Sequence, residues 1–312
     1  MKKNMFYLAI AAFVALANVA CSSDDDGAEN YTPTLDPPKY ETEAVVYTIP
    51  ETADIQTSVP DAPAMTAVNI TESGQAVFEL DGGKTFKVYN IASMTGDTYT
   101  LEANRGTIKM IAATTAPTRA TSTVQLVINV TIELDNGQSC NYNTGEDGVP
   151  AQASTPPPAT DVETLLCRTW NVLNVAVEYQ EDGKEGVFRE FDNGNLNEVA
   201  AYANDQGAGL TPDELAELDR IISTVVIERS GLLLINYTNR NSDAAQWSWA
   251  NSEKTQLKIQ LKDSEMGNKF LSDKTVIDLA FKDTRCVLKL KNRITGNPSY
   301  NMALIIRLQS KD

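Results

Sequence analysis

The chain contains no histidine. That single absence removes Ser-His-Asp and Cys-His nucleophilic machinery, the H-E-x-x-H zinc helix and every imidazole proton shuttle. Basic residues are also scarce: 26 Lys and Arg stand against 42 Asp and Glu, a formal net charge of −16. Phosphate backbones are held by clustered Lys and Arg, so no nucleic-acid partner is expected. No Cys-x-x-Cys, Gly-x-Ser-x-Gly, P-loop or Rossmann glycine pattern occurs either. Without histidine, hydrolysis would fall to a carboxylate pair, and a chain this acidic places some pair together by chance. No catalytic residue, metal or cofactor is therefore assigned, and binding is the default expectation. What remains is 312 residues, 42% of them hydrophobic, which suits a folded chain of about two domains.

The N-terminus reads as an address. Lys2 and Lys3 precede an apolar stretch over residues 5–16, and Asn18-Val19-Ala20 lead into Cys21. A run this short, followed by acid, is a signal core and no spanning helix. Residues 1–20 resemble a bacterial lipoprotein signal peptide, although Asn18 stands where the family prefers Leu. The resemblance implies that Cys21 becomes the lipidated N-terminus. Ser22-Ser23-Asp24-Asp25-Asp26 resembles the Ser-plus-acidic tract of Bacteroidota surface lipoproteins. That implies export to the outer membrane with the protein facing the cell exterior. Each buried methylene of an acyl chain such as palmitate contributes roughly 0.8 kcal/mol to such an anchor. Residues 21–42, with Asp36-Pro37-Pro38, form an acidic, proline-bearing tether with too little apolar surface to fold.

A second proline-rich stretch, residues 150–160 with Pro150 and Pro156-Pro157-Pro158, divides unit 43–149 from unit 161–312. The first unit has an apolar period of two. Val124, Leu126, Ile128, Val130, Ile132 and Leu134 alternate with mostly polar neighbours, and shorter runs over 67–71, 76–80, 86–91, 99–102 and 107–111 are parted by Gly-bearing turns. This predicts a small antiparallel β domain, sandwich or partial barrel. The second unit reads as eight strands, over 169–179, 224–229, 232–238, 246–250, 256–262, 275–281, 286–291 and 301–308. An up-and-down meander of that kind removes its edges by closing into a barrel. Thr211-Pro212-Asp213-Glu214 is a capping box, with Leu215, Leu218 and Ile222 on one face, and predicts one inserted helix over 211–222.

Leu165-Leu166-Cys167-Arg168-Thr169-Trp170, the hairpin Val225-Val226-Ile227-Glu228-Arg229-Ser230-Gly231, the Trp247-Ser248-Trp249 strand and the Leu257/Ile259 strand together resemble the bacterial lipocalin-like domain. The likeness covers about 165–310. Arg168 takes the place of the family's glycine, and about 45 residues separate the first two strands. The resemblance implies an eight-stranded barrel binding a small apolar or amphipathic ligand, with Trp170 closing its floor and Arg307 lying over that ring as a structural cation. A weaker likeness is internal: Ile70-Thr71-Glu72-Ser73-Gly74 mirrors Ile227-Glu228-Arg229-Ser230-Gly231, as two copies of one β-meander would.

Trp247 and Trp249 lie two apart, on one face of one strand. Facing inward they would fill the core or line a ligand cavity; facing outward they would form a stacking surface for a glycan or protein. With Cys21 acylated, Cys140, Cys167 and Cys286 remain, an odd set. Cys286 falls on an apolar face, as buried thiols do, while a closed barrel could also bring it close to Cys167. Asp192-Asn193-Gly194-Asn195-Leu196-Asn197-Glu198 is rich in oxygen ligands but lacks the calcium-loop order, so a solvated loop is expected.

Overall fold

The computed structural model describes residues 44–111, 121–156, 160–181, 185–205, 212, 219–239, 242–260, 275–282, 284–294 and 300–311. Cys21, the signal peptide and the tether lie outside these residues. The chain divides into two compact units. Each contains a closed, eight-stranded antiparallel barrel, so the protein is all-β with short helices added.

The first unit runs β1 (Val45–Thr48), β2 (Gln56–Thr57), β3 (Met65–Ile70), β4 (Gln75–Leu80), β5 (Thr85–Thr95), β6 (Thr98–Leu101), β7 (Gly106–Ile111), β8 (Thr121–Glu133), β9 (Ser139–Asn143) and β10 (Val149–Ser154). Neighbours in sequence pair around the wall from β1 through β3 to β8, and β10 closes it by pairing with both β1 and β8. The long alternation around Val124–Leu134 becomes β8, whose inward residues Leu126, Ile128, Val130 and Ile132 are fully buried. β8 outruns β10 and pairs along its last residues with β9, which carries β2 outside the barrel. The stretch read as a spacer from Pro150 is a strand for its first half. Val149 and Ala151 point inward and are buried, while Pro150 and Gln152 face out. Small inward side chains hid this strand from the hydrophobic pattern.

The second unit runs α1 (Asp161–Leu166), β11 (Thr169–Glu181), β12 (Val187–Asp192), α2 (Leu196–Asp205), β13 (Ile222–Ile227), β14 (Leu232–Tyr237), β15 (Ser242–Trp249), β16 (Gln256–Gln260), β17 (Thr275–Lys282), β18 (Arg285–Ile294) and β19 (Tyr300–Ser310). Here the meander closes directly, first strand to last, through eleven register pairs between β11 and β19. β11 serves two neighbours on its other edge: its first residues pair with β13 and its later ones with β12, across an irregularity between Val172 and Asn174. A short helix, α2, lies between β12 and β13, and the helix expected over 211–222 falls mostly outside the described residues, among which Pro212 is helical. Residues 211 and 213–218 lie outside the described part, and Ile222 opens β13 instead of ending a helix. Asn195 caps α2: its Oδ1 accepts from the backbone N–H of Asn197 (3.1 Å) and Glu198 (3.3 Å), and its Nδ2 donates to Glu198 Oε1 at 3.1 Å. The oxygen-rich loop is thus a helix start.

Candidate functional site

The interior of the second barrel holds most of the residues singled out in the sequence. Inward positions alternate along every strand: Leu233, Ile235 and Tyr237 on β14; Ala245 and Trp247 on β15; Leu257 and Ile259 on β16; Leu304, Ile306 and Leu308 on β19. These side chains form one continuous apolar cluster with Trp170 and Cys286. An eight-stranded barrel is just wide enough for side chains to fill it or to hold one small ligand.

One end is built around α1. Thr160 and Glu163 form a reciprocal capping box, which aims the helix so that Leu166 is buried against the core. Trp170, at the start of β11, is buried and donates from Nε1 to the Leu166 carbonyl at 2.9 Å. Its ring lies 6.5 Å from that of Phe281. The cation over Trp170 is Arg168, 5.6 Å from the ring centroid, and not Arg307. Arg168 is fixed there by hydrogen bonds to the Thr164 carbonyl (2.7 Å) and Ser310 Oγ (3.2 Å). Arg307 lies between the inward residues Ile306 and Leu308 and so points out of the barrel. It sits over Phe188 at 5.6 Å, bonded to Asn174 at 2.9 Å and Glu190 at 2.8 Å. The period-two rule puts Arg307 outside and its neighbours inside.

Trp247 is buried inside the barrel, and Trp249, two residues on, is half-buried at its α1 end. Their rings meet edge to face at 5.4 Å. Trp249 Nε1 donates to Glu163 Oε1 at 3.0 Å, Lys254 Nζ donates to the same oxygen at 3.1 Å, and Lys254 lies 5.6 Å from the Trp249 ring centroid. The cap bonds from Thr160, then the indole and ammonium donors, hold the Glu163 carboxyl down at about 2. Glu163, Trp249 and Lys254 therefore tie α1 to the barrel wall. Neither tryptophan offers a wide flat face outward.

At the opposite end α2 turns Leu196, Val199 and Ala200 into the same apolar cluster, where Phe191 and Tyr202 also meet, ring centroids 5.7 Å apart. Gly194 lets the chain enter this helix. Its φ is +64°, and a Cβ there would lie 2.7 Å from the Ile222 carbonyl oxygen. The same end holds a polar group that no sequence pattern announced. Asp243 is buried on the inward face of β15; Tyr237 Oη donates to its Oδ2 at 2.6 Å, and Arg220 approaches the same oxygen at 3.7 Å. The Arg220 guanidinium stands 5.4 Å over the Tyr237 ring. Burial first, then the Asp243 charge, pushes the Tyr237 hydroxyl far above its ordinary range, so it stays a proton donor.

Cys140, Cys167 and Cys286 are free thiols. Burial pushes the Cys286 thiol up to about 12, so it is an unreactive part of the core.

No known protein family and no curated protein matches the sequence. Similar solved structures include a transferrin binding protein B vaccine antigen from Haemophilus parasuis, with 10% identity and a TM-score of 0.22 over 86% of this chain and 45% of that one. The chain thus spans less than half of that antigen's length. A protein of unknown function of the DUF3598 family from Nostoc punctiforme gives 7% identity and a TM-score of 0.20, covering 89% and 100% of the two chains. A Bacteroides fragilis protein, described provisionally as an outer membrane protein, gives 10% and 0.21, covering 86% and 97%. At such scores the functional reading rests on this chain's own residues.

Proposed function

We propose that this protein is a non-catalytic lipoprotein of the outer membrane, held by acyl chains on Cys21 and displayed towards the cell exterior. Its barrels act as rigid platforms that bind a protein or glycan on their outer surfaces. The carrying observation is that the second barrel is stoppered by its own chain. Leu166 and Trp170 fill one end, and Leu196, Val199 and Ala200 of α2 enter the core from the other. The lipoprotein signal supports the anchor, the acidic Ser22–Asp26 tract supports the orientation, and the lack of histidine removes imidazole-based catalysis. Protease treatment of intact cells should remove the protein, and Cys21→Ala should abolish labelling with radioactive palmitate. Full protection, or retained label, overturns the respective half of this reading.

A second reading has its own support. Arg220, Tyr237 and Asp243 place a buried polar group beside apolar walls at the α2 end. That is the composition of a site for a small amphipathic ligand. Native mass spectrometry of the protein purified from its host separates the two. A stoichiometric co-purifying small molecule supports the internal site, and a bare mass supports the outer surface.

A further inference from the structure

The wall of the first barrel has a notch. β6 pairs with β5 only from Ile91 to Thr95, and β7 pairs with β8 only as far as Val130. The Thr131 N–H still donates to the Arg105 carbonyl at 2.7 Å; below that bond, among the described residues, Thr85–Asn90 of β5 and Ile132–Glu133 of β8 face each other with no strand between. The turn Glu102–Arg105 forms the upper margin. Side chains span the gap where backbone ladders close the rest of the wall. Lys87 Nζ donates to Asp135 Oδ1 at 2.7 Å, and Thr85 Oγ1 donates to Asp135 Oδ2 at 3.3 Å. The Glu133 N–H donates to Tyr89 Oη at 3.1 Å, and Arg105 donates to Glu133 Oε2 at 3.2 Å while lying 5.5 Å over the Tyr89 ring. Asn90 donates to Glu102 at 3.3 Å. Directly inside are Phe78, 6.0 Å from Tyr89, and Ile91 and Ile132 of the core.

We propose that the first barrel opens sideways at this notch, with the Lys87–Asp135 pair as its latch. The two partners differ sharply in exposure: 6% for the Lys87 side chain and 62% for Asp135. The bond that seals an apolar interior therefore hangs on a carboxylate in water, where salt screens it. Lys87 has a long apolar stem and can follow its partner outward, so opening leaves no ammonium stranded in the core. Elsewhere, opening the wall requires breaking a row of backbone hydrogen bonds; here it requires releasing a few side chains. Opening of this kind is local and independent of global unfolding.

Cys140 is a native reporter. It is fully buried in the first core and pairs with Ile132, one strand from the notch. Cys286, buried in the second barrel, is an internal control. The test is N-ethylmaleimide labelling of the full chain, with the modified cysteine identified by peptide mass. Asp135→Asn should speed Cys140 modification about tenfold, the scale of one lost charge-assisted hydrogen bond, and leave Cys286 unchanged. Raising salt on the wild type should move Cys140 in the same direction, which keeps the test open if the variant folds poorly. At low denaturant the Cys140 rate should be nearly flat. A rate with the full denaturant slope of unfolding, or one indifferent to both salt and Asp135→Asn, overturns the latch.

Discussion

The two barrels can be laid on one another by register, and the places where they disagree are instructive. In each, the Ile-x-x-Ser-Gly hairpin joins the second and third barrel strands: Ile70 to Gly74 between β3 and β4, and Ile227 to Gly231 between β13 and β14. Two residues before the isoleucine stand Val68 and Val225. Opposite them on the first strand stand Tyr47 and Trp170, both fully buried aromatics. Eight residues after the isoleucine stand Phe78 and Ile235, and opposite them lie Lys87 and Asp243. Both charges are buried, and they have opposite signs. The frame keeps an aromatic at one end and a buried charge towards the other, while the chemistry at the charged position has been inverted. That pattern fits two diverged copies of one meander.

The largest expected effect tests the shared aromatic. Trp170→Ala should destabilise the second barrel by about 3–5 kcal/mol, and Tyr47→Ala should do comparable damage to the first. Tyr47 Oη bonds the Met110 sulfur and Trp170 Nε1 bonds a carbonyl, so each also loses a hydrogen bond. Denaturant melts followed by hydrogen exchange, which separates the barrels, should show each substitution confined to its own unit. Loss of both units from either change would break the comparison.

Next comes the inverted charge. Asp243 is buried with its Tyr237 partner, whereas the partner of Lys87 is mostly in water. Asp243→Ala should therefore cost about 3–5 kcal/mol, because Arg220 and the Tyr237 hydroxyl lose their buried acceptor. Lys87→Met should cost under about 1 kcal/mol, because Asp135 is solvated once released. Equal costs in urea melts would mean that the two positions play the same structural role.

The sequence carried the repeated frame more clearly than the differences. β8 is legible because its alternation is nearly perfect, and the Ser-Gly hairpins because positive φ favours glycine: Gly74 sits at +80° and Gly231 at +88°. Lys87 and Asp243 were not legible. A single charge inside an apolar alternation reads as the polar face, and residues 86–91 are apolar enough on both faces to fit either register. α2 could have been found: Asn195 and Glu198 are a capping pair, but only Leu196, Val199 and Ala200 form its buried face, and the oxygen-rich stretch read as a solvated loop instead. The cation over Trp170 was sought on the last strand, yet the residue two before the tryptophan supplies it.

The hairpin glycines should answer alike. Gly74→Ala and Gly231→Ala each force an L side chain into the left-handed region, at about 1–2 kcal/mol. At Gly231 the added Cβ would also lie 3.3 Å from the Trp247 carbonyl, so its cost should sit at the upper end. Thermal melts that rank Gly74→Ala as the costlier change would show that the two hairpins are not equivalent.

The smallest effect concerns the strap on the second barrel, Glu163. Its carboxyl is held at about 2 in the folded state, below the roughly 4.3 of an unfolded glutamate. A depressed pKa means that folding favours the ionised form. The stabilisation is complete above the unfolded value and is lost as pH falls from about 4.3 towards 2. Protonation withdraws the acceptor from the Thr160 N–H, Trp249 Nε1 and Lys254, so α1 should loosen while the strands beneath it persist. Glu163→Gln should remove this acid dependence and cost about 1 kcal/mol at neutral pH, the usual scale of a lost helix cap. Trp249 gives the readout, because its indole leaves a carboxylate when the strap releases. Wild-type tryptophan emission should shift over that acid window, and the Glu163→Gln protein should show the shifted emission already at pH 7. An acid transition that survives the substitution would assign the loosening to another carboxylate.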